Sequence, residues 1–267
     1  MRDMEISTKD DLYSIQVDII TIVKNAAASI KNTLFSVSSQ TYRHINHIII
    51  DGNSNDTTIQ IINDFNHNKN TMTHYQSATG IANAFNDGLS KSQGDLVIFL
   101  NSGDTFVDQN VVTKIVESFI QYNWLWGFGE TISVSKNRFL KRHINQYDFW
   151  KNELFFGGNP MCHQSTIYSR KLLNKVGLYD EKLSLEMDYD FNIRCSLIDH
   201  PFLIYFHISY YDTSGVSSRR VFRSYQIAAE IRKKYFPLTI TRNIIIDTVG
   251  FLKAIQRFLM IPIKIVL

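Results

Sequence analysis

Five consecutive apolar residues, Leu96, Val97, Ile98, Phe99 and Leu100, run without interruption into the tight polar turn Asn101-Ser102-Gly103-Asp104. A run with no polar residue on either alternate face fits a strand covered on both sides, as in a parallel sheet between layers of helix. Gly94-Asp95 before it and Ser102-Gly103 after it mark its ends. In open sheets of this kind ligands gather beyond the carboxyl ends of the strands, so the turn falls where a site is expected. Gly103 lets the backbone approach a ligand closely, and Asp104 offers the hard oxygen suited to a divalent cation that also holds phosphate. An ordinary turn closed by an Asx bond has the same composition. The neighbouring segments must separate the two readings.

Those segments repeat the pattern. Residues 17–23 (Val-Asp-Ile-Ile-Thr-Ile-Val) read as the first strand, which runs into Lys24-Asn25 and is followed by Ile30, Leu34 and Val37 at helical spacing. Residues 47–50 form another, closed by the polar stretch 51–57, in which Asp56 or Thr57 can cap a helix whose apolar face is Ile59, Ile61, Ile62 and Phe65. A short strand is expected over 71–75, and a helix over 81–89 with Ile81, Ala84, Phe85 and Leu89 inward. Helix 111–120 and an aromatic, strand-like segment 124–134 complete an α/β alternation, for which a parallel sheet with right-handed crossovers is the expected outcome. After about Arg138 the alternation gives way to a loop-rich stretch, 147–164, containing Gly157-Gly158-Asn159-Pro160. We read this as the boundary between two halves, about 15–137 and 138–236, of one domain spanning 1–236. Beyond it come strand 165–168, helix 170–176, a helix from about 187 through Leu197, and a strand-like run 202–211. Asp188 and Asp190 stand at a helix start, where the dipole favours carboxylates for structural reasons alone.

Composition narrows the class. With 267 residues, 44% of them hydrophobic and 20% charged, the chain can bury a sizeable core. Cys162 and Cys195 are far apart and lack metal-ligand spacing, which predicts free thiols in a reducing compartment. A net charge of +3 gives no reason to expect a nucleic-acid partner. Residues 1–14 do not read as a signal peptide, and no run of about 18 apolar residues predicts a membrane span, so a cytoplasmic location is expected. The tail, 237–267, mixes many Ile, Leu, Val and Phe residues with Arg242, Lys253, Arg257 and Lys264. It reads as a basic amphipathic segment for an anionic membrane surface, or as a helix packed on the domain or on a second subunit.

Taken in order, residues 18–25 (Asp-Ile-Ile-Thr-Ile-Val-Lys-Asn), 36–42 (Ser-Val-Ser-Ser-Gln-Thr-Tyr) and 48–58, with Asp51-Gly52-Asn53-Ser54 at its centre, form a series that continues. Gly80 to Gly94, the turn 100–104, Cys162-His163-Gln164 and Asp188-Tyr189-Asp190 follow. The series, over about 17–217, resembles the family 2 glycosyltransferases of the GT-A fold. The resemblance implies an α/β, Rossmann-like, mostly parallel central sheet flanked by helices, with a helical carboxy-terminal tail. It also implies a nucleotide-sugar site that includes Val23, Asn25, Asp51, Asn101 and Gly103, with Asp51 hydrogen-bonded to the base. Asp104 matches the last acid of the family's Asp-X-Asp-like turn, which engages a divalent cation, Mn2+ or Mg2+, and the donor diphosphate. Asp188 matches the catalytic base and Asp190 an acid that supports it. His163 and Gln164 match a pair near the diphosphate or the acceptor.

On this reading the protein moves a sugar, with inversion, from a nucleotide-diphosphate donor to a saccharide acceptor during assembly of bacterial O-antigen, capsule or exopolysaccharide. A polyprenyl-diphosphate-linked acceptor, a peripheral place on the inner face of the membrane and a homo-oligomer belong to the same expectation. The chain departs from the family pattern in having Ala78, Asn83 and Asn101 where acids are usual. The alternative is therefore a catalytically impaired sugar-nucleotide-binding or scaffolding protein. A nucleotidyltransferase finds no Gly-rich basic phosphate loop near the amino terminus, and no G-x-G-x-x-G fingerprint for a dinucleotide is present. His207, in the last strand-like run, stands close to where the resemblance implies a carboxy-terminal metal ligand in some members, and the turn 213–220, with Arg219 and Arg220, reads either as a flexible basic loop over the diphosphate or as a solvated turn opening a helix.

Overall fold

The computed structural model of the protein describes residues 14–65, 70–135, 138–142, 159, 161–212 and 221–266. Its first half is a parallel sheet in the order β3-β2-β1-β4, built from β1 (Val17–Val23), β2 (Ile45–Asp51), β3 (Thr71–Tyr75) and β4 (Leu96–Phe99). The connecting segments carry α1 (Ile30–Ser38), α2 (Thr58–Phe65) and α3 (Ile81–Lys91). In β4 the alternate residues divide between two cores. Val97 and Phe99 join Ile20, Ala84, Phe85 and Phe191, whereas Leu96, Ile98 and Leu100 join Ile19, Val112 and Ile115. An unbroken apolar run is thus what this position requires, because neither face of the strand meets water.

The second half extends the same sheet. β4 pairs antiparallel with β8 (Thr166–Ser169), β8 with β6 (Trp126–Ser135), and β6 runs parallel to β9 (Phe202–Asp212) across a bulge near Gly129–Thr131. β5 (Thr105–Phe106) and β7 (Arg138–Arg142) add to β9 and β6, both antiparallel. The mostly parallel sheet expected from the sequence is therefore parallel in its first four strands and mixed beyond them. Strands from both sides of residue 138 share one sheet, so the two halves are continuous through the fold. The remaining helices are α4 (Val111–Tyr122), α5 (Arg170–Val176), α6 (Met187–Ile198), α7 (Val221–Tyr235) and α8 (Ile240–Val266).

One expectation is corrected. Ile81 is exposed at 37%, and Ala82 takes the buried place. Helical side chains lean over the turn that precedes them, and for the first residue of α3 that turn is the exposed stretch 77–80. The tail is helical as expected, and α8 packs along α7 through Ile246, Gly250 and Ala254. Among the described residues no helix is long and apolar enough to cross a membrane.

A candidate active site at the carboxyl ends of the strands

β1 and β2 end side by side, and their last residues are tied into one polar network. The Gly52 amide donates to the Val23 carbonyl at 2.8 Å. Asp51 is fully buried, and its two carboxylate oxygens accept from the Ser54 hydroxyl at 2.6 Å and the Ser54 amide at 2.9 Å. Ser54 in turn accepts from the Asn25 amide at 2.9 Å, and the Asn25 side chain accepts from the Asn55 amide at 2.8 Å. Val23, Asn25 and Asp51 are thus brought together, with Ser54 as the hub. Asp56, one of the two capping residues expected from the sequence, accepts from the Thr58 amide at 3.0 Å.

The turn after β4 is held from α1. The Thr33 hydroxyl donates to the Asp104 carbonyl at 2.9 Å and accepts from the Gly103 amide at 3.0 Å. Gly103 has φ of +100°, a conformation that glycine adopts without strain. Below the turn, the Thr21 hydroxyl donates to the Leu100 carbonyl at 2.7 Å and meets His47 Nε2 at 2.8 Å. Since the threonine's one proton goes to the carbonyl, His47 must donate from Nε2, and burial keeps its imidazole neutral by pushing the pKa to about 4. The Asp104 carboxylate is buried and accepts from Gln164 Nε2 at 3.0 Å. Asn101 Oδ1, in the same turn, is buried with no hydrogen-bond partner among the described residues.

Gln164 and His163 belong to a single 3-10 turn, His163–Ser165, before β8. The two neighbours face different surroundings. Gln164 reaches Asp104, while the His163 ring lies 4.8 Å from that of Phe99 and 4.7 Å from that of Phe85. Neither His163 nitrogen has a hydrogen-bond partner among the described residues, and burial lowers its pKa to about 3.

Asp188 stands in the first turn of α6 and accepts from Asn159 Nδ2 at 3.0 Å. Burial raises its pKa, opposed by the Tyr189 backbone amide and the Asn159 side chain. Asp190, two residues on, is engaged elsewhere: it accepts from Arg194 Nε at 2.9 Å and from the Tyr235 hydroxyl at 2.8 Å. Asn159 touches Asp188 and Gln164 touches Asp104, five residues apart in the chain. Their α-carbons are therefore separated by at most about 18 Å. His207 lies against Glu130, with Nε2 to Oε2 at 2.9 Å, beside the β6–β9 bulge. Among the described residues no group of three or more His, Cys, Asp or Glu is placed to hold a metal. The turn 213–220 lies outside the described residues.

This arrangement presents two carboxylates in unlike settings beyond the strand ends, one in a tight glycine turn and one at a helix start. The sequence profile of glycosyl transferase family 2 matches residues 18–177, more than half of the chain. An uncharacterised glycosyltransferase of Mycobacterium tuberculosis is 30% identical over 229 residues, covering 82% of this chain and 85% of that protein. A PGL/p-HBAD biosynthesis glycosyltransferase of the same species is 28% identical over 208 residues, covering 75% and 78%. Among solved structures, S. aureus TarS 1–349 in complex with UDP superposes with a TM-score of 0.66 at 14% identity, over 89% of this chain and 71% of that one. A mannosyltransferase from Pyrobaculum calidifontis in complex with GDP-Man and Mn2+ gives 0.59 at 12% identity, over 91% and 75%. These two likenesses carry the GT-A fold. By its sequence the chain is a glycosyltransferase and belongs to glycosyl transferase family 2.

Proposed function

We propose that the protein transfers a sugar, with inversion, from a nucleotide-diphosphate donor to a hydroxyl of a saccharide acceptor in the assembly of a bacterial surface glycan. The observation that carries this reading is the pairing of Asp104 in its stapled turn with Asp188 at the start of α6, linked by the short segment from Asn159 to Gln164. Glycosyltransferases of known pathway among the relatives, such as that of PGL/p-HBAD biosynthesis, lend support to a surface-glycolipid role. Neighbours in complex with UDP and with GDP-Man support a nucleotide-sugar donor.

In this reading the network of Val23, Asn25, Asp51 and Ser54 receives the nucleoside. The buried Asp51 oxygens each retain acceptor capacity beyond their bonds to Ser54, so an N–H of the base can be accommodated. A divalent cation, Mn2+ or Mg2+, fits the turn after β4. Asp104 supplies a hard anionic oxygen, and Asn101 Oδ1, which has no partner among the described residues, supplies a neutral one. Small hard cations are commonly held by one or two carboxylates completed by substrate phosphates, so the single acid is an adequate set. When bound, the cation offsets the charge that develops on the leaving diphosphate.

Asp188 is the base. As the acceptor oxygen attacks the anomeric carbon, its proton passes to the Asp188 carboxylate, and the bond to the diphosphate oxygen breaks. A carboxylate with a pKa raised by burial is better matched to that task than one in water. Gln164 fixes the orientation of the Asp104 carboxylate, and His163, neutral, keeps water away on the apolar side of the same turn. We assign a lipid-carried acceptor, polyprenyl-diphosphate-linked, approached from an anionic membrane surface on which α8 lies.

The test is nucleotide-diphosphate release and sugar transfer from a panel of UDP-, GDP- and dTDP-sugars with Mn2+ or Mg2+. Wild type turns over one of them, and Asp188→Asn lowers the rate by about 10²- to 10⁴-fold while its melting transition remains cooperative. Asp104→Asn loses the metal dependence. Full turnover by Asp188→Asn would remove it as the base. Donor binding without release in wild type would favour the impaired, binding-only reading drawn from Ala78, Asn83 and Asn101.

A further inference from the structure

Asn159 uses both ends of its side-chain amide. Nδ2 donates to Asp188 Oδ2 at 3.0 Å, and Oδ1 accepts from the Met161 amide and from Asn192 Nδ2, each at 3.3 Å. Asn192 Oδ1 then accepts from the Tyr168 hydroxyl at 2.7 Å. We infer that Asn159 is the positioning residue for Asp188, and that Asn192 and Tyr168 brace it from the centre of the sheet. This deepens the reading of Asp188 as the base and rests on it.

The direction of the chain is fixed by chemistry. The Met161 amide can only donate and the Asp188 carboxylate only accept, so Asn159 must turn Oδ1 to the one and NH2 to the other. Asn192 therefore gives its NH2 to Asn159 Oδ1 and turns its oxygen to the Tyr168 hydroxyl, whose neutral, fully buried phenol donates to it. Flipping either amide would set donor against donor or oxygen against carboxylate. Every hydrogen bond therefore points toward Asp188. A half-buried amide leading to a fully buried amide and phenol is a costly way to fill space, since an apolar trio of equal volume often serves stability as well. The polar trio does supply orientation.

The anchor is shared with the phosphate turn. Tyr168 on β8 pairs with Val97 on β4, the strand that ends in Asn101 to Asp104. Asn192 is one helical turn beyond Asp188 on α6, on the same face. The base and the diphosphate corner are thus referenced to one pair of adjacent strands.

The charges around Asp188 leave Asn159 a clear role. Tyr168 of β8 and Tyr179, before α6, are both raised by burial and uncharged. On α6 itself Asp190 is engaged by Arg194, and Glu186 contacts Ser224 of α7. The α7 cations turn elsewhere, Lys234 to Asp190 and Arg232 to Asp247. His163 is neutral. Against burial stand the Tyr189 amide and the Asn159 side chain, which favour the carboxylate.

The full chain is labelled at the aspartate carboxyl carbon and titrated by NMR, with the Asp188 signal identified by its absence in Asp188→Asn. We expect Asn159→Ala to raise the midpoint by about one pH unit, tenfold in acid strength, for loss of a hydrogen bond to a charged group. Tyr168→Phe never touches Asp188, yet by loosening Asn192 and with it the brace on Asn159 Oδ1 it moves the midpoint in the same direction by a smaller amount. An unmoved midpoint in Asn159→Ala overturns the inference. A shift in Asn159→Ala with none in Tyr168→Phe overturns the brace from the sheet. Should Asn159→Ala not fold, as judged by near-ultraviolet circular dichroism, Tyr168→Phe decides alone. Wild-type turnover in Asp188→Asn would defeat the base assignment and leave these midpoints untouched, so the two failures read differently.

Discussion

His163 and His47 are both buried and both neutral, yet the two imidazoles are placed for different ends. His47 spends Nε2 on Thr21 and so supports the strand end at Leu100. His163 spends neither nitrogen on any of the described residues and lies among the rings of Phe85, Phe99 and Tyr179. A buried polar group without a partner costs stability, and its retention beside Gln164 and Asp104 fits a contact made when substrate is bound. Each folded-state pKa, about 3 for His163 and about 4 for His47, lies below the unfolded value near 6.5. Between those limits the unfolded chain binds the extra proton. Stability is therefore complete above pH 6.5 and falls as the solution is acidified toward the folded values. At pH 5 the loss is about 2 kcal/mol for each histidine. His163→Phe removes two unpaired nitrogens and one titrating group from an aromatic pocket. Thermal melts of that variant are expected to show a higher midpoint at pH 7 and a shallower decline to pH 5, with weakened turnover. A variant that keeps full turnover would make His163 a packing residue only.

At the scale of elements, the strands are legible because each buried run is largely apolar and ends in a polar turn. Val17 to Val23, interrupted only by the buried Asp18 and Thr21, the run ending at Asp51, and Leu96 to Leu100 lie side by side in the sheet. The helix faces were less so. Ile81 fits the 3.6-residue spacing but stands over an open turn, and periodicity carries no information about what a helix end faces. The site roles of Thr33, Ser54 and Asn159 are not legible in the sequence, because these small polar side chains join partners 29 to 71 positions away, Ser54 doing so while also holding Asp51 three residues off. No local spacing encodes the distant partners. Gly88 shows the same limit, since it reads as a helix-ending signal and instead marks close contact between α3 and β1. A β-carbon there would stand 2.4 Å from Ile20 Cγ2, a methyl fixed by its β-branch. Glycine to alanine inside a helix normally gains about 0.5–1 kcal/mol. Here overpacking, typically about 1–3 kcal/mol, outweighs the gain. Gly88→Ala is expected to lower the denaturation midpoint, and adding Ile20→Leu, which removes the Cγ2 methyl, to recover part of the loss. A Gly88→Ala variant as stable as wild type would show that α3 can move off the sheet freely.

At the scale of the whole molecule, α8 has two apolar faces, and the body of the protein uses one. Ile246, Gly250 and Ala254, four residues apart, lie against α7, where Asp247 pairs with the buried Arg232 and with Lys233. Ile240, Ile244 and Phe251 form another stripe and are exposed at 80%, 60% and 49%, with Leu252 at 58% nearby. Phe222 of α7, exposed at 38%, adds to it through its contact with Phe251. The exposed apolar face continues round the helix through Leu252, Ile245 and Val249, the last two exposed at 56% and 36%, and Arg242 and Lys253, eleven residues apart and so nearly aligned, lie at its far margin, roughly opposite Phe251. A broad apolar face with basic side chains at its margin is the pattern of an interfacial segment. The protein is therefore expected to sediment with vesicles of phosphatidylglycerol and phosphatidylcholine in equal parts, and weakly with phosphatidylcholine alone. Each basic side chain near an anionic surface contributes about 1 kcal/mol, so Arg242→Gln with Lys253→Gln should weaken binding roughly thirtyfold. Added salt should mimic the double variant, whereas Phe251→Ser should weaken binding at every salt concentration, because its contribution is apolar burial. Sedimentation indifferent to anionic lipid, together with a solution mass of two chains that Phe251→Ser returns to one, would assign the stripe to a second copy of the protein instead.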